Sequence, residues 1–220
     1  MSRSAFVNEA VADYAEAHSL PPDDVQRSLI AATNEKAAGW SAMQIGPDQG
    51  AFMTVLAATL APTFAVEVGT FTGYSSLCVA RGLAPGGKLL CCDVSEEWTS
   101  IAREHWEMAG LDDRIELVIA PATETLAALP DEPAIDLAFI DADKVNYRLY
   151  YEEILRRLAP HGLILFDNTL WSSAVLPDSG ADDADTDALR ELNDFLVTDD
   201  RVDVAQLTIG DGVTMVRRRS

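Results

Sequence analysis

The spacing of hydrophobic positions changes once along this 220-residue chain, close to residue 62. Before that point apolar residues recur with helical spacing, which predicts three helices, at residues 4–17, 22–39 and 47–60. Beyond it, short runs of Val, Ile, Leu and Phe alternate with helical patterns. The runs read FAVEV, KLLCCDV, RIELVI, AIDLAFI and GLILFD, and continuous apolar runs of this kind are typical of parallel strands buried on both faces.

Five strand–helix units in succession predict an open, doubly wound α/β sheet with right-handed crossovers. A last helix over 187–197 precedes two further runs, RVDVAQLTI and VTMVRR, whose Gly-Asp-Gly connection predicts a closing hairpin at the edge of the sheet. We therefore expect a single domain of 1–220 with about seven strands. A helical cap (1–61), which is a candidate substrate lid and dimer interface, precedes an α/β core (62–220).

Charge is the unusual feature of the composition, because 36 Asp and Glu face only 16 Lys and Arg, for a formal net charge of −20. The phosphates of nucleic acids and of anionic membranes would repel such a protein, so we expect neither as a partner. The hydrophobic fraction of 48% excludes a disordered chain. No stretch reaches the ~18 apolar residues of a membrane span, and the first residues do not resemble a secretory signal.

The cysteines and histidines argue against several classes of site. Cys78, Cys91 and Cys92 form no CxxC pair, which disfavours disulfides and zinc and fits a cytoplasmic location. The three histidines are scattered, so a histidine-based metal site or a Ser-His-Asp triad is not expected. Only three lysines are present, and one of them, Lys144, lies just after a predicted strand.

In sheets of this class, ligands bind beyond the carboxyl ends of the strands. The first strand is followed by Gly69 and Gly73, which flank a tight turn where the backbone can approach a ligand closely, although their spacing is not the GxGxxG of dinucleotide enzymes. The second strand ends at Asp93, in the place where the ribose of a nucleoside would be held. Alternatively, the glycines only form a good strand-to-helix turn, and Asp93 only begins the next helix.

Polar residues also end the fourth and fifth predicted strands. Asp141 and Asp143 follow the fourth strand together with Lys144, and Asp167 and Asn168 follow the fifth. Because neighbouring parallel strands end at one edge of a sheet, we expect Asp141, Asp167 and Asn168 to converge as three oxygen ligands, which suit Mg²⁺, Mn²⁺ or Ca²⁺ better than zinc. In the alternative interpretation these residues cap helices or loops, and Lys144 forms a salt bridge with one of the aspartates.

Five segments together resemble one known family, the cation-dependent, S-adenosylmethionine-dependent O-methyltransferases of the caffeoyl-CoA and catechol O-methyltransferase type. The segments are VEVGTFTGYSSL (66–77), CDV (92–94), FIDADKVNYRLYYE (139–152), GLILFDNTLW (162–171) and GDGVTMVRR (210–218). The resemblance implies a class I methyltransferase (Rossmann-like) fold, with a seven-stranded, mostly parallel sheet, helices on both faces and an N-terminal helical cap. It also implies a homodimer.

By position, the resemblance implies metal ligands at Asp141, Asp167 and Asn168, with Mg²⁺ as the expected ion and Mn²⁺ and Ca²⁺ as alternatives. Lys144, three residues after Asp141, is our candidate base for the proton of the acceptor hydroxyl, so both residues are predicted to be catalytic. The implied cofactor contacts are Met43, Ile45, Glu67, Gly69, Thr70, Ser75, Asp93, Ala122, Asp141 and Asp143.

The acceptor side is less well defined by sequence. Trp171, Trp40 and Tyr147 are candidates to wall an aromatic acceptor, although ordinary core packing is an alternative for each. Ser172, a further candidate substrate contact, falls where plant members have Asn, and Ile45 falls where they have Thr.

We therefore predict a methyl transfer from S-adenosylmethionine to a hydroxyl of a small, catechol-like aromatic acceptor or hydroxylated secondary metabolite. The acidic segment 177–187 lacks the basic residues that plant CoA-ester members carry, which disfavours CoA. Alternatives are methylation of a CoA ester or of a non-aromatic hydroxyl, a nicotinamide-dependent oxidoreductase, and a non-catalytic S-adenosylmethionine-binding protein.

Overall fold

The computed structural model describes residues 6–219, and its N-terminal part is helical as predicted. The helices there are α1 (Glu9–Ala17), α2 (Asp24–Lys36) and α3 (Pro47–Leu60), with a short 3-10 turn at Ser41–Met43. The side chain of Asn8 accepts a hydrogen bond from the N–H of Ala10 and so begins α1 later than the predicted residue 4. Positions 4 and 5 of that prediction lie outside the described residues.

Local sequence explains where α2 and α3 begin. The Asp23 carboxylate accepts from the N–H of Gln26, and the Gln26 side chain accepts from the N–H of Asp23, which makes a reciprocal cap. α2 ends at Lys36, so Gly39 does not terminate it as expected. α3 matches its predicted bounds, because Pro47 occupies the first turn, where a helix needs no N–H donor.

One sheet of seven strands forms the centre of the molecule. Its strands are β1 (Phe64–Val68), β2 (Lys88–Asp93), β3 (Ile115–Ile119), β4 (Ile135–Ile140), β5 (Leu158–Phe166), β6 (Val202–Leu207) and β7 (Val213–Arg218). They lie in the order β3-β2-β1-β4-β5-β7-β6, with β1 to β5 parallel and β7 antiparallel to both of its neighbours. The predicted closing hairpin is confirmed, and β6 forms the edge.

Helices cover both faces of the sheet, and the strands are therefore buried on both sides. The helices of the core are α4 (Tyr74–Gly82), α5 (Glu96–Met108), α6 (Ala122–Ala128), α7 (Tyr147–Arg157) and α8 (Ala184–Thr198). In β4, Ala138 and Ile140 pack with α6, α7 and α8, whereas Leu137 and Phe139 pack with α2 to α5. This two-sided burial explains why the strand reads as a continuous apolar run. None of the helices described between residues 6 and 219 could span a lipid bilayer.

The connections of the sheet place a crevice between β1 and β4. From β1 the chain proceeds to β2 and β3 on one side, and it then returns to β4 and β5 on the other side. At the carboxyl ends, the N–H of Gly69 donates to the carbonyl of Cys92, and the N–H of Asp141 donates to the carbonyl of Val68. A ligand site is expected where the strand order reverses in this way.

Small residues let α3 and α4 approach each other closely. A Cβ atom built on Gly82 would lie 2.4 Å from the carbonyl carbon of Ala57 and from the backbone nitrogen of Ala58. Ala57 is completely buried, so neither helix has free space to move into.

Gly82→Ala should therefore destabilise the protein by about 1–3 kcal/mol, because the added methyl group meets backbone atoms that cannot rotate away. At roughly 2–4 °C per kcal/mol for a chain of this size, the melting temperature should fall by several degrees in a thermal denaturation scan. Gly39→Ala is the matched control, since nothing lies within 4 Å of a Cβ at that position. Equal melting temperatures for the two variants would contradict the packing argument.

Candidate functional site

A cavity of about 1130 Å³ opens at the carboxyl ends of the parallel strands. Residues that end or follow β1, β2, β3, β4 and β5 all contribute to its wall, and the segment before α3 closes it on another side. This is the crevice at which the strand order reverses, so the position of the cavity agrees with the general rule for open α/β sheets.

The turn after β1 depends on its two glycines. Gly69 and Gly73 have φ angles of 89° and 85°, a region that other residues rarely adopt. A Cβ on Gly69 would lie only 2.1 Å from the carbonyl oxygen of Asp141, so the turn after β1 packs directly against the end of β4. The glycines are thus required by the fold itself, and they also leave the backbone of the turn open to the cavity.

Asp93 ties this turn to β2. One carboxylate oxygen accepts hydrogen bonds from the N–H groups of Thr70 and Phe71, each at 2.9 Å, and the other accepts from Ser95 at 2.8 Å. The last contact lies just before α5, but the helix itself is capped by the Ser95 hydroxyl, which accepts from the N–H of Trp98. A carboxylate has further lone pairs, so Asp93 can also accept hydroxyl donors from the cavity that it lines.

Glu67 lies beneath the turn and does not line the cavity. It is fully buried, its carboxylate accepts a hydrogen bond from the Ser76 hydroxyl, and the Cys91 thiol lies at 3.3 Å. Burial raises the pKa of Glu67 to about 7, although the nearby hydroxyl groups partly offset this effect. One oxygen of Glu67 has no hydrogen-bond partner among the described residues, and neither does the hydroxyl of Thr70, which does line the cavity.

A nucleoside-like ligand fits this end of the cavity. Two aromatic rings, of Phe71 and Trp98, lie 5.7 Å apart beside the ends of β2 and β3. The small side chain of Ala122 leaves room there. Aromatic and small residues around a few polar groups are the usual lining of cofactor pockets.

Lys144 and two carboxylates form a network at the other end of the cavity. The ammonium nitrogen of Lys144, which is 7% exposed, lies 3.0 Å from Oδ1 of Asp141 and 2.7 Å from the hydroxyl of Tyr147. That hydroxyl in turn donates to the backbone carbonyl of Asp167 at 3.2 Å. The salt bridge to Asp141 that we considered for Lys144 is therefore formed.

Asp167 is buried, and its carboxylate accepts hydrogen bonds from Nε2 of Gln49 at 2.8 Å and from the N–H of Asn168 at 2.7 Å. Burial, and to a smaller extent the nearby charge of Asp141, raises the pKa of Asp167 to about 7. When both carboxyl groups are ionised, Asp141 and Asp167, which form the acidic centre of the cavity, exceed the single positive charge of Lys144 by one negative charge.

The donor set of this centre fits a hard divalent cation. Asp141, Asp167 and Asn168 all line the cavity, as expected from the adjacent ends of β4 and β5. Within residues 6–219, no three or more His, Cys, Asp or Glu residues are grouped to hold a metal ion, so a cation would need the amide oxygen of Asn168 as its third protein ligand. Two carboxylates and one amide suit Mg²⁺, which usually keeps several waters.

The backbone beyond Asn168 is strained. Trp171, Ser172 and Ser173 have φ angles of 46°, 49° and 73°, and the first two of these residues line the cavity. Oδ1 of Asp211 holds this turn by accepting from the N–H of Ser172 at 2.6 Å. Backbone strain of this kind concentrates at functional sites. Trp40, which is 60% exposed, also contributes to the cavity wall.

With the exceptions of Glu67 and Tyr147, every site residue predicted from sequence lines this one cavity. These residues are Trp40, Met43, Ile45, Gly69, Thr70, Ser75, Asp93, Ala122, Asp141, Asp143, Lys144, Asp167, Asn168, Trp171 and Ser172.

Three aromatic residues differ from expectation. Tyr147 does not wall the cavity, because it is completely buried behind Lys144. Tyr150 and Trp98, which are not among the site residues predicted from sequence, both line the cavity, and the hydroxyl of Tyr150 donates to Asp143 at 2.6 Å. A helical pattern does not show which of its aromatic side chains lie at the open end of the sheet.

Known proteins resemble this chain in both sequence and structure. The model of the O-methyltransferase family matches residues 16–219. The probable caffeoyl-CoA O-methyltransferase 2 of Dictyostelium discoideum is 36% identical over 214 residues, covering 96% of this chain and 92% of that protein. The flavonoid 3',5'-methyltransferase of Vitis vinifera is 34% identical over 227 residues, covering 98% of this chain and 97% of that protein. Among solved structures, the O-methyltransferase from Bacillus cereus in complex with SAH has 30% sequence identity and a TM-score of 0.85. The match covers 96% of this chain and 97% of that protein.

The buried Glu67 carboxyl predicts a pH-dependent stability. Its pKa is about 7 in the folded protein and near 4.5 when unfolded, so unfolding releases a proton between these values and raising the pH across them destabilises the fold. The melting temperature of the ligand-free protein should therefore fall from about pH 5 to about pH 7, and Glu67→Gln should reduce this fall.

The control is Glu132→Gln, which removes an exposed carboxyl and should leave the pH dependence unchanged. If the melting curves of Glu67→Gln and the unmodified protein run parallel over this pH range, Glu67 does not titrate as described.

Proposed function

This chain belongs to the O-methyltransferase family, and we propose that it transfers a methyl group from S-adenosylmethionine to a hydroxyl of a small, catechol-like aromatic acceptor. The observation that best supports this proposal is that one cavity is lined both by the turn after β1 with Asp93 and by the network of Asp141, Asp167 and Lys144. The likeness to the Bacillus cereus structure confirms the class I methyltransferase fold that the resemblance implied. Family membership removes the nicotinamide-dependent oxidoreductase from the alternatives.

The donor of the methyl group would occupy the end of the cavity near β2. S-adenosylmethionine carries a sulfonium-bound methyl group, which is activated for transfer to a nucleophile. The Asp93 carboxylate is placed to accept hydrogen bonds from the ribose hydroxyls, and Ala122 leaves room for the adenine. That SAH is bound in the Bacillus cereus relative supports this assignment. Glu67 would act indirectly, since it lies behind the turn.

We infer that Asp141, Asp167 and Asn168 hold a divalent cation, with Mg²⁺ as the expected ion and Mn²⁺ or Ca²⁺ as alternatives. Such a cation, when bound, stabilises negative charge on an acceptor oxygen. Gln49 and the N–H of Asn168 fix the two oxygens of Asp167, so this carboxylate is held in one orientation before any ligand binds.

Lys144 is the proposed base. A phenolic hydroxyl is a weak nucleophile until it loses its proton, and the Lys144 nitrogen in its neutral form would accept that proton. Asp141 and the Tyr147 hydroxyl hold this nitrogen in the cavity wall, and the Trp171 ring lies 5.6 Å away. An aromatic acceptor stacked on Trp171 would therefore place its hydroxyl within reach of Lys144.

The charges of the cavity favour a neutral acceptor over a CoA ester. Six aspartates line the cavity, and Lys144 is its one basic residue within the described chain, so no basic side chain besides Lys144 is present to pair with the phosphates of CoA. Asp185 is the one residue of the acidic segment 177–187 that lines the cavity. In the same segment, Asp183 caps α8 and Asp187 pairs with Arg190. A CoA ester is the second candidate, on the strength of the name of the Dictyostelium relative.

Two further expectations stay predictions. The protein is expected to be a cytoplasmic homodimer, and α1 supports a partner copy, since none of its residues is buried and Val11 and Tyr14 are exposed. The division into a helical cap (1–61) and a core (62–220) within one domain is likewise kept as a proposal.

Mass spectrometry of products should show one added methyl group on catechol when the protein is incubated with S-adenosylmethionine and Mg²⁺. EDTA should abolish the reaction, and added Mg²⁺ should restore it. Phenol, a sugar alcohol and caffeoyl-CoA complete the panel, and catechol should be the preferred acceptor. Preference for caffeoyl-CoA would refute the proposed acceptor class, whereas bound SAH without methylation of any acceptor would favour a non-catalytic binding protein.

Replacing Lys144 should separate the base role from a structural salt bridge. Lys144→Ala should lower kcat by about 10²–10⁴-fold, the usual contribution of a general base, while the affinity for SAH stays unchanged. Lys36→Ala is the control, because Lys36 pairs with Glu104 on the surface of α2 and should leave turnover unaffected. Turnover of Lys144→Ala near that of the unmodified protein would rule out the base role.

A further inference from the structure

Arg190, in α8, holds the residues that follow the strained turn at Trp171–Ser173. We call residues 174–181 the 174–181 segment. Arg190 donates to the carbonyls of Ala174 (2.8 Å), Val175 (3.2 Å), Leu176 (3.4 Å) and Ala181 (3.2 Å) and to the hydroxyl of Ser179 (3.1 Å). A guanidinium group carries five N–H donors in a rigid fork, and no other side chain offers as many. One side chain of α8 therefore binds both ends and the middle of this segment.

The 174–181 segment has few other anchors. It lies wholly within the described residues and belongs to no helix or strand, and residues 176–180 are exposed. The Val175 side chain packs against the core, and the hydroxyl of Ser179 donates to the carbonyl of Ala174 at 2.7 Å. Because backbone groups of an exposed segment could equally bind water, the conformation seen here depends largely on Arg190.

A second cavity, of about 610 Å³, places the 174–181 segment beside the acceptor end of the main cavity. Ser172 lines both cavities, and Ser173 and residues of the segment form the rest of the second wall. Leu176 and Pro177 contribute apolar surface there, and serine hydroxyls lie beside them. Such a lining suits an uncharged, mainly apolar group.

The turn before the segment is held by other residues. Oδ1 of Asp211 accepts from the N–H of Ser172, and Nδ2 of Asn193 donates to the carbonyl of Thr169 at 2.8 Å. The contacts of the proposed base also lie outside the segment. Loss of Arg190 would therefore release the segment and leave the reacting groups in place.

We propose that Arg190 is a positioning residue that holds the 174–181 segment as the outer wall of the acceptor site, so that it determines how tightly an acceptor larger than one ring binds. Arg190 lines neither cavity and acts through the segment. The proposal rests on the proposed function, because it places the reacting ring at Trp171 and Lys144. It adds an acceptor class: a catechol ring with an uncharged, mainly apolar substituent, which the second cavity would receive.

The test compares two acceptors of different size. Quercetin carries a catechol ring on a fused two-ring system, whereas catechol is the single ring. Arg190→Met keeps an apolar stem and removes the donors. The KM for quercetin should rise at least about 10-fold, as expected when only about one molecule in ten has the segment in place. The kcat for both acceptors, the KM for catechol and the affinity for SAH should stay unchanged.

Arg157→Met is the matched control. Arg157 also donates to backbone carbonyls, those of Ala127, Leu129, Pro130 and Glu153. It lies at the amino ends of β4 and β5, at the opposite edge of the sheet from the cavity. Its loss should lower the melting temperature and leave the KM for both acceptors unchanged. If a methionine variant does not fold, the lysine variant replaces it, because one ammonium group reaches fewer of these carbonyls.

Hydrogen–deuterium exchange gives a readout that needs no turnover. At short labelling times, the peptide 174–181 should exchange faster in Arg190→Met and at the unmodified rate in Arg157→Met, because the N–H groups of Leu176 and Ser179 are hydrogen-bonded in the held conformation.

Unchanged exchange, an unchanged KM for quercetin, or an equal rise in KM for both acceptors would overturn the role of Arg190. Failure of the unmodified protein to methylate either acceptor would instead overturn the proposed function, and exchange would still decide whether Arg190 holds the segment.

Discussion

The close approach of the turn after β1 to the end of β4 is the constraint on which the rest of the site depends. The Gly69 backbone packs against the carbonyl of Asp141, and the N–H of Asp141 donates to Val68 at 2.8 Å. The same turn is held from its other side by the two N–H groups that donate to Asp93. The ends of three strands are thereby fixed relative to one another through backbone contacts. Distances between a ligand at Asp93 and a group at Asp141 are therefore set by the fold rather than by mobile side chains.

The acidic centre sets a second constraint, because two carboxylates at the ends of adjacent strands must be compensated. Lys144 supplies one positive charge, and Tyr147 restricts its position by accepting from the ammonium and donating to the Asp167 carbonyl. One cation beside the buried Asp167 and the partly buried Asp141 leaves an excess of negative charge, which is unfavourable away from water. A divalent cation would correct this imbalance. The same electrostatics would disfavour an acceptor that brings several phosphates into the cavity.

Much of the fold could be predicted from the sequence, because burial on both faces of the sheet imposes a simple apolar pattern. β1 and α3 match their predicted bounds. The start of β5 was missed, because exposed residues around His161 interrupt its apolar run and its pairing with β4 is irregular there. The metal and base candidates were predictable, since strand order alone brings Asp141 and Asp167 together.

The rest of the site could not be predicted, because it depends on which side chains reach the open end of the sheet. Gln49 is a neutral polar residue in the first turn of α3, and its role follows only from the docking of that helix against the end of β5. The position of Glu67 was in principle predictable: strand residues alternate, so between Val66 and Val68 it faces the opposite side of the sheet.

The acidic residues that give the protein its negative charge differ in what their carboxylates contact. Asp23 and Asp183 cap helices, and Asp199 lies in a network with Tyr151 and Arg201, which holds the pKa of Asp199 well below its usual range. Such groups contribute to the fold and would be present whatever the acceptor. In the cavity, Asp211 is partly committed, because it fixes the strained turn at Ser172. Asp185 is therefore the acidic residue of the cavity wall that is least needed by the fold. A difference in acceptor charge between this protein and its CoA-ester relatives would consequently depend on very few positions. In this way one fold can serve several acceptors without altering the turn after β1 or the centre formed by Asp141 and Asp167.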